Sequence, residues 1–250
     1  MKKLAKIGKY LGMSAAIVAA SFSASTVVAA TVYVGHGIPG EDAENALGLS
    51  SGTLDPSLPV DVVVNGNCLL TGFTLGEFAG PLTLGAGTYM VSVHPADSVA
   101  PCSTPAVIGP ANIPVEADTN ATILAHLTED GSLGASVFPN EVSATSSNKA
   151  RISVHHAAAA PTVDVAVGRK DGRGNSVLLK DVSNGDFADV VASADLDWVV
   201  RLFPAGSKKS VYESGVLPTN STATTNAYAV GSLAKDTLEI ITNNLRKRRN

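Results

Sequence analysis

An all-β chain, made of two tandem antiparallel β-sandwich modules behind a cleaved signal peptide, is the fold class predicted by three observations. The segments of one half recur in the same order in the other half. Short runs of alternating apolar residues are separated by Gly, Asn, Asp and Pro turn chemistry, with no convincing amphipathic helix. Aromatic residues are 5% and charged residues 16% of the chain, while Val, Thr, Ala, Ser and Gly dominate, which favours strands and turns.

The chain opens with Lys2, Lys3, Lys6 and Lys9 and then carries no charge from Tyr10 through Ala30. That is the pattern of a secretory leader, and Val28-Ala29-Ala30 supplies the small residues a peptidase needs, placing the expected cut after Ala30 and the signal peptide at 1–30. Gly12, Ser14, Ser21, Ser23, Ser25 and Thr26 dilute the apolar run below what a bilayer-spanning helix requires. No later stretch is long and apolar enough to span a membrane, so no transmembrane segment is expected in the mature chain, and its expected location is periplasmic or secreted.

The first copy of the repeat reads VYVGHGIP, LPVDVVVNG, TLGEFAGPLTLGAGTYMVSVHPADS and IPVEADTNATILAHL. The second reads ISVHHAAAAP, PTVDVAVG, VSNGDFADVVASADLDWVVRLFPAGS and LPTNSTATTNAYAVGSL. Their alignment pairs His36 with His156, Asp61 with Asp164, Gly76-Glu77-Phe78 with Gly185-Asp186-Phe187, and Pro95-Ala96 with Pro204-Ala205. One copy is therefore one module, at 31–145 and 149–245, joined by the polar run Ser143 to Asn148 and followed by a basic tail at 246–250. Val60 to Val64, Thr88 to His94, Val163 to Val167 and Asp197 to Phe203 read as half-buried strands. Asn65-Gly66 and Asp171 to Asn175 read as hairpin turns. Each module is expected to hold about seven strands. The first copy carries 17 extra residues between its His and its Asp, with a short helix expected around Glu41 to Leu47.

The succession V-x-x-H, Pro-x-Val-Asp-Val, Gly-acidic-Phe and Gly-Thr-Tyr-x-Val-x-Val ending in Pro-Ala resembles the DUF4397 family. Its members are exported bacterial proteins with Ig-like or transthyretin-like sandwich modules, often in tandem. The first copy carries the resemblance in His36, Val60-Asp61-Val62, Gly76-Glu77-Phe78, Gly87-Thr88-Tyr89 and Pro95-Ala96. The second carries it in His156, Pro161 to Val165, Gly185-Asp186-Phe187 and Pro204-Ala205, and departs from it where Leu196-Asp197-Trp198 replaces Gly-Thr-Tyr. The resemblance implies a fold and a location, not a reaction.

Cys68 and Cys102 fall in the same half, and export would place them where a disulfide persists, so they are expected to pair. Cross-linking a loop of that length stabilises by about 3–4 kcal/mol on the chain-entropy model. His36 with Asp61 and His156 with Asp164 fall on expected neighbouring strands. A carboxylate beside an imidazole either orients a general base or closes a structural hydrogen bond. With no Gly-x-Ser-x-Gly and both cysteines assigned to a bridge, the structural His–Asp pair is the expectation and no catalytic residue is assigned. His155-His156 would point to opposite faces of a strand, and no Cys-x-x-Cys or His-x-x-x-His occurs, so neither a transition-metal site nor any other cofactor is expected. Glu41, Asp42, Glu44 and Asp55 in the insertion are the candidates for a Ca²⁺ site, against the alternative of a solvated acidic loop.

Charge is unevenly spread. Residues 31–148 hold twelve acidic residues and no Lys or Arg, residues 149–245 hold ten of each sign, and Arg246-Lys247-Arg248-Arg249 closes the chain. The net charge of −4 becomes −8 without the leader's four lysines. A phosphate backbone would be repelled, so no nucleic-acid partner is expected, whereas head-to-tail association between copies is permitted. The functional expectation is an exported, non-enzymatic cell-surface, matrix or adhesion-type scaffold touching an unknown protein or the cell envelope. The competing class is a periplasmic Ca²⁺- or small-ligand-binding protein, or an enzyme using the His–Asp pairs.

Overall fold

The computed structural model describes residues 29–247 except Asn175; most of the stretch expected to be a signal peptide, residues 1–28, and the last three residues of the basic tail lie outside the described residues. In chain order the first half forms β1 (Ala30–His36), α1 (Gly40–Leu47), β2 (Val60–Val64), β3 (Asn67–Phe73), β4 (Phe78–Leu84), β5 (Gly87–Pro95), β6 (Ile108–Val115), β7 (Asn120–Leu127) and β8 (Leu133–Pro139). The second half forms β9 (Lys149–His156), β10 (Val163–Arg169), β11 (Val177–Val182), β12 (Phe187–Ser193), β13 (Trp198–Pro204), β14 (Tyr212–Glu213), β15 (Ala223–Val230) and β16 (Glu239–Arg246). The short helix expected in the insertion is α1.

These strands make four open four-stranded sheets, ordered β4-β1-β7-β8, β3-β2-β5-β6, β12-β9-β15-β16 and β11-β10-β13-β14. The last two repeat the connectivity of the first two eight strands later, so the sequence repeat is a topological repeat, with eight strands per half rather than seven. Among the described residues strand pairing stays within β1–β8 or within β9–β16. The Asn65-Gly66 turn joins β2 to β3 with positive φ at both residues (50° and 77°), the backbone a two-residue primed hairpin turn demands.

One feature departs from the expected antiparallel pattern. β1 runs parallel to β7 and β9 runs parallel to β15, while the other strand pairs among the described residues are antiparallel. The reason is topological: a parallel pair cannot be closed by a hairpin, and here the rest of each half forms the connection between its first strand and its seventh. The first strand of each half is thereby central in its sheet.

Three buried clusters explain the layering. Val60, Val62, Phe73, Val93 and Leu127 form the core of the first half, and Val163, Val165, Val167, Trp198, Val200 and Leu202 that of the second. A third cluster joins Leu124 and Phe138 of the first half to Ala157, Tyr228, Val230 and Ile241 of the second, with Phe78 against it. The sheet β12-β9-β15-β16 is thus covered on both faces at its centre, and all eight residues of β15 are buried. Alternation decides which way each points: Ala227 and Ala229 enter the second core, while Tyr228 and Val230 face the first half.

Gly35 fits this junction because a Cβ there would lie 2.6 Å from Phe78 Cε1 and 2.9 Å from Leu124 Cδ1. Gly35→Ala is expected to cost about 1–3 kcal/mol through overpacking, measured by urea denaturation; an unchanged midpoint would show that the Phe78 and Leu124 side chains move aside freely.

Candidate functional site

The residues shared by the two copies converge on one corner of each half. His36 and His156 end β1 and β9, and their backbones close the Gly-acidic-Phe turns: His36 N donates to Glu77 O at 3.1 Å and Gly76 N to His36 O at 2.8 Å, with His156, Asp186 and Gly185 repeating the pattern at 2.9 and 2.8 Å. The turn carboxylates serve the turns themselves, Glu77 accepting from Thr74 N at 2.7 Å and Asp186 from Ser183 N at 2.9 Å.

The expected His–Asp hydrogen bond is replaced by two backbone ties from each of the four side chains. His36 Nε2 donates to Leu58 O at 2.8 Å while its Nδ1 accepts from Ile38 N at 3.3 Å. His156 lies against Pro161 O and Ala158 N in the same way, both at 3.4 Å. Asp61 accepts from Gly72 N at 2.9 Å and Cys102 N at 2.6 Å, and Asp164 from Asp181 N and Gly206 N, each at 3.1 Å. The ladder shifts register beside both aspartates, and the bulge residues Gly72 and Asp181 have φ of 60° and 54°. A bulge strands a backbone N–H, and the carboxylate takes it. These two backbone bonds, that from Asp181 first, hold the Asp164 carboxyl below the usual range.

Cys68 and Cys102 are joined, their Cα atoms 5.8 Å apart. The bridge and the Asp61 bond to Cys102 N anchor the same loop after β5.

The acidic insertion is spent on its own folding. Glu44 accepts from Leu54 N at 2.6 Å and Gly52 N at 3.0 Å, and the Leu54 bond leads the causes that lower its pKa. Asp55 accepts from Ser57 N and Oγ at 2.8 and 2.6 Å. Asp42 is buried against the second half, accepting from Thr237 Oγ1 at 2.6 Å, and burial raises its pKa against that bond. Glu41 is exposed. The four candidates do not converge, and among the described residues no group of three or more His, Cys, Asp or Glu side chains is placed to hold a metal ion.

One constellation escaped sequence reasoning. On β5, His94 Nδ1 donates to Thr104 O at 2.5 Å, which leaves Nε2 to accept from Ser92 Oγ at 2.8 Å. The order of groups is that of a nucleophile and its base, at i and i+2 on one strand face. Ser92 is 9% exposed, however, and neither residue lines the principal cavities. An apolar cavity of 40 Å³ in the first half, walled by Val62, Val93, Ile113, Ile123 and Ala135, brings only His36 to its edge, where both ring nitrogens already have partners.

The most heavily built polar region is the junction between the halves. Asn226 Nδ2 donates to Asn140 Oδ1 at 2.7 Å, Thr224 Oγ1 to Glu141 O at 2.7 Å, and Asn184 Nδ2 to both Leu127 O and Ala158 O at 2.9 and 2.8 Å. His155 stacks on Tyr228 at 4.4 Å and on Phe187 at 5.5 Å and meets the Phe138 edge at 5.0 Å. Burial pushes its pKa down to about 3. The contact with Asn226 that opposes this is weak, since both ring nitrogens and Asn226 Oδ1 have no partner within hydrogen-bond geometry. His126 is bonded to Leu127 O at 2.7 Å and Ser136 Oγ at 2.8 Å. Burial lowers the pKa of His36, His126 and His156 as well, and raises that of Tyr228 to about 12. Chemically, the junction is a buried aromatic and amide seam that favours neutral imidazoles.

A family described as "Domain of unknown function (DUF4397)" matches residues 53–166, from the loop after α1 into β10. No curated protein matches the chain. Among solved structures, a candidate cell-adhesion protein from Bacteroides ovatus ATCC 8483 aligns at 10% identity and a TM-score of 0.28, over 88% of this chain and 98% of that one. The sugar-binding protein pneumolysin aligns at 11% identity and a TM-score of 0.23, over 83% of this chain and 44% of that one. Likeness at this level does not carry over an activity.

Two outcomes follow from the geometry. Asp61→Ala strands the N–H groups of Gly72 and Cys102, and is expected to cost about 1–3 kcal/mol in chemical denaturation; an unchanged midpoint would mean that solvent replaces the carboxylate. Because the four buried imidazoles are held below their ordinary pKa of 6.5, the stability they contribute is present above that value and is lost as pH falls below it, down to about 3 for His155. Asp42 and Glu239, whose carboxyl pKa values burial raises, act in the opposite sense. The melting temperature should therefore drop between pH 6.5 and 4.5, and His155→Phe should flatten the drop; the same slope in both proteins would remove His155 from the cause.

Proposed function

We propose that the protein is an exported, non-enzymatic scaffold of the cell surface or matrix. It has modules at 31–145 and 149–245 behind a signal peptide, and it acts through contacts with another protein or the envelope surface. The observation that carries this reading is that the residues with chemical potential in the repeat and its insertion are bonded to their own backbone or buried between the halves. What is left for a partner is sheet edge and loop. Edge strands β11 and β12 present Val177, Leu178, Phe187 and Val191, all more than 40% exposed, beside unpaired backbone groups.

Charge supports contact between copies as well. A first half with no Lys or Arg from 31 to 148 attracts Arg246, Arg248 and Arg249 of another molecule, head to tail, Lys247 being bonded within its own chain. Among the described residues no helix is long and apolar enough to cross a membrane. Labelled mature protein is expected to bind saturably to the envelope fraction of the producing cell, and its weight-average mass by light scattering should rise with concentration at low salt and much less at about 0.5 M salt, where charge attraction is screened. A monodisperse monomer under all conditions together with no envelope binding would contradict the scaffold reading.

A further inference from the structure

The point at which the leader leaves the chain can be read from β1. Ala30 is its first residue and is fully buried, clustered with Val32 and Val115 and packed by Leu84, Tyr89 and Ile123. Its backbone pairs with Leu84, and the next amide, Thr31 N, donates to Thr119 O at 2.7 Å. Ala29 is exposed and belongs to no strand. In the second half Ala150 stands where Ala30 stands, equally buried and paired with Ala192, whereas Lys149, in the place of Ala29, belongs to β9 and pairs with Ser193.

A cut after Ala30, the position expected from Val28-Ala29-Ala30, falls inside this strand. It would delete the buried Ala30 methyl from its cluster and take the Ala30–Leu84 pair out of the ladder. A cut one residue earlier preserves both the Ala30 contacts and the ladder. The residue types allow it, with Val27 three positions before the bond and the small Ala29 immediately before it.

We propose that the leader is removed between Ala29 and Ala30, so that the exported chain begins with the first residue of β1. The reaction adds water across the Ala29–Ala30 peptide bond of the still unfolded chain, leaving a carboxylate on Ala29 and an ammonium on Ala30. Folding then pairs Ala30 with Leu84 and returns its methyl to the cluster with Val32 and Val115. The inference rests on the export reading above and refines it to one bond.

Intact mass and N-terminal sequencing of the exported protein test it. A chain starting at Ala30 is expected. A start at Thr31, or at Thr26 after the alternative Ser23-Ala24-Ser25 pattern, overturns the assignment while leaving export intact. A protein that keeps Met1 overturns the export reading and the cut together. Ala29→Leu, which removes the small residue before the bond, is expected to accumulate uncleaved precursor, and normal processing of that variant counts against the assignment. Chains prepared to start at Thr31 should melt about 2–4 °C below those starting at Ala30; equal melting temperatures would remove the structural reason for the cut.

Discussion

The rest of the structure depends on burial of one sheet face, that of β9 and β15, against the first half. A strand buried on both sides needs its outward side chains satisfied by whatever covers them. In β15 those residues are Thr224, Asn226, Tyr228 and Val230, and the first half supplies the Glu141 carbonyl, the Asn140 amide and the Phe138 ring. With the first half absent, Asn226 and His155 would meet water and the second half would expose a wide apolar and aromatic face. The short polar run from Ser143 to Asn148 is therefore pinned rather than free: Lys247 Nζ donates to Thr145 Oγ1, Lys149 O and Ser221 O at 2.6, 3.1 and 3.1 Å.

The same economy runs through the residues that look catalytic. An aspartate in a Val-rich strand is costly to bury unless its oxygens are bonded, and in both copies two backbone N–H groups meet that need. One of the two comes from a bulge and the other from the loop after β5 or β13, so a single side chain fixes a hairpin and a long connection at once. The histidines do the same for the segment leading into β2 or β10. Their rings stay neutral because burial outweighs the carbonyls they bond, which suits a structural staple better than a proton carrier working near neutrality.

Much of this was legible in the amino-acid order. The repeat gave two equivalent sandwiches, Asn65-Gly66 gave the first hairpin, and the alternation of Val60 to Val64 and of Thr88 to His94 gave strand faces. Local pattern carries such information because side-chain direction has a period of two. Three features were not legible. The parallel placement of β1 beside β7 joins residues about ninety positions apart, and no local signal encodes it. The partners of Asp61 are backbone amides, which every residue but proline possesses, so the nearest imidazole looked the better candidate. The junction was hidden because Thr224, Thr225 and Asn226 have the composition of a solvated strand, and only their neighbours make them core. Asn184, which bridges Leu127 and Ala158, stands in a turn where Leu75 stands in the first copy, so the repeat gave no hint of it.

The dependence of the second half on the first is tested most directly by unfolding the whole chain while following two probes. Trp198 is the one tryptophan in the chain and is buried in the second core, donating to Ser193 O at 2.8 Å, so its fluorescence reports that half. Far-ultraviolet circular dichroism reports all sheets together. Coincident transitions in urea, with one midpoint for both probes, are expected if the junction makes the halves a single cooperative unit. Two separated transitions in the wild-type chain, with Trp198 keeping its own midpoint, would contradict it.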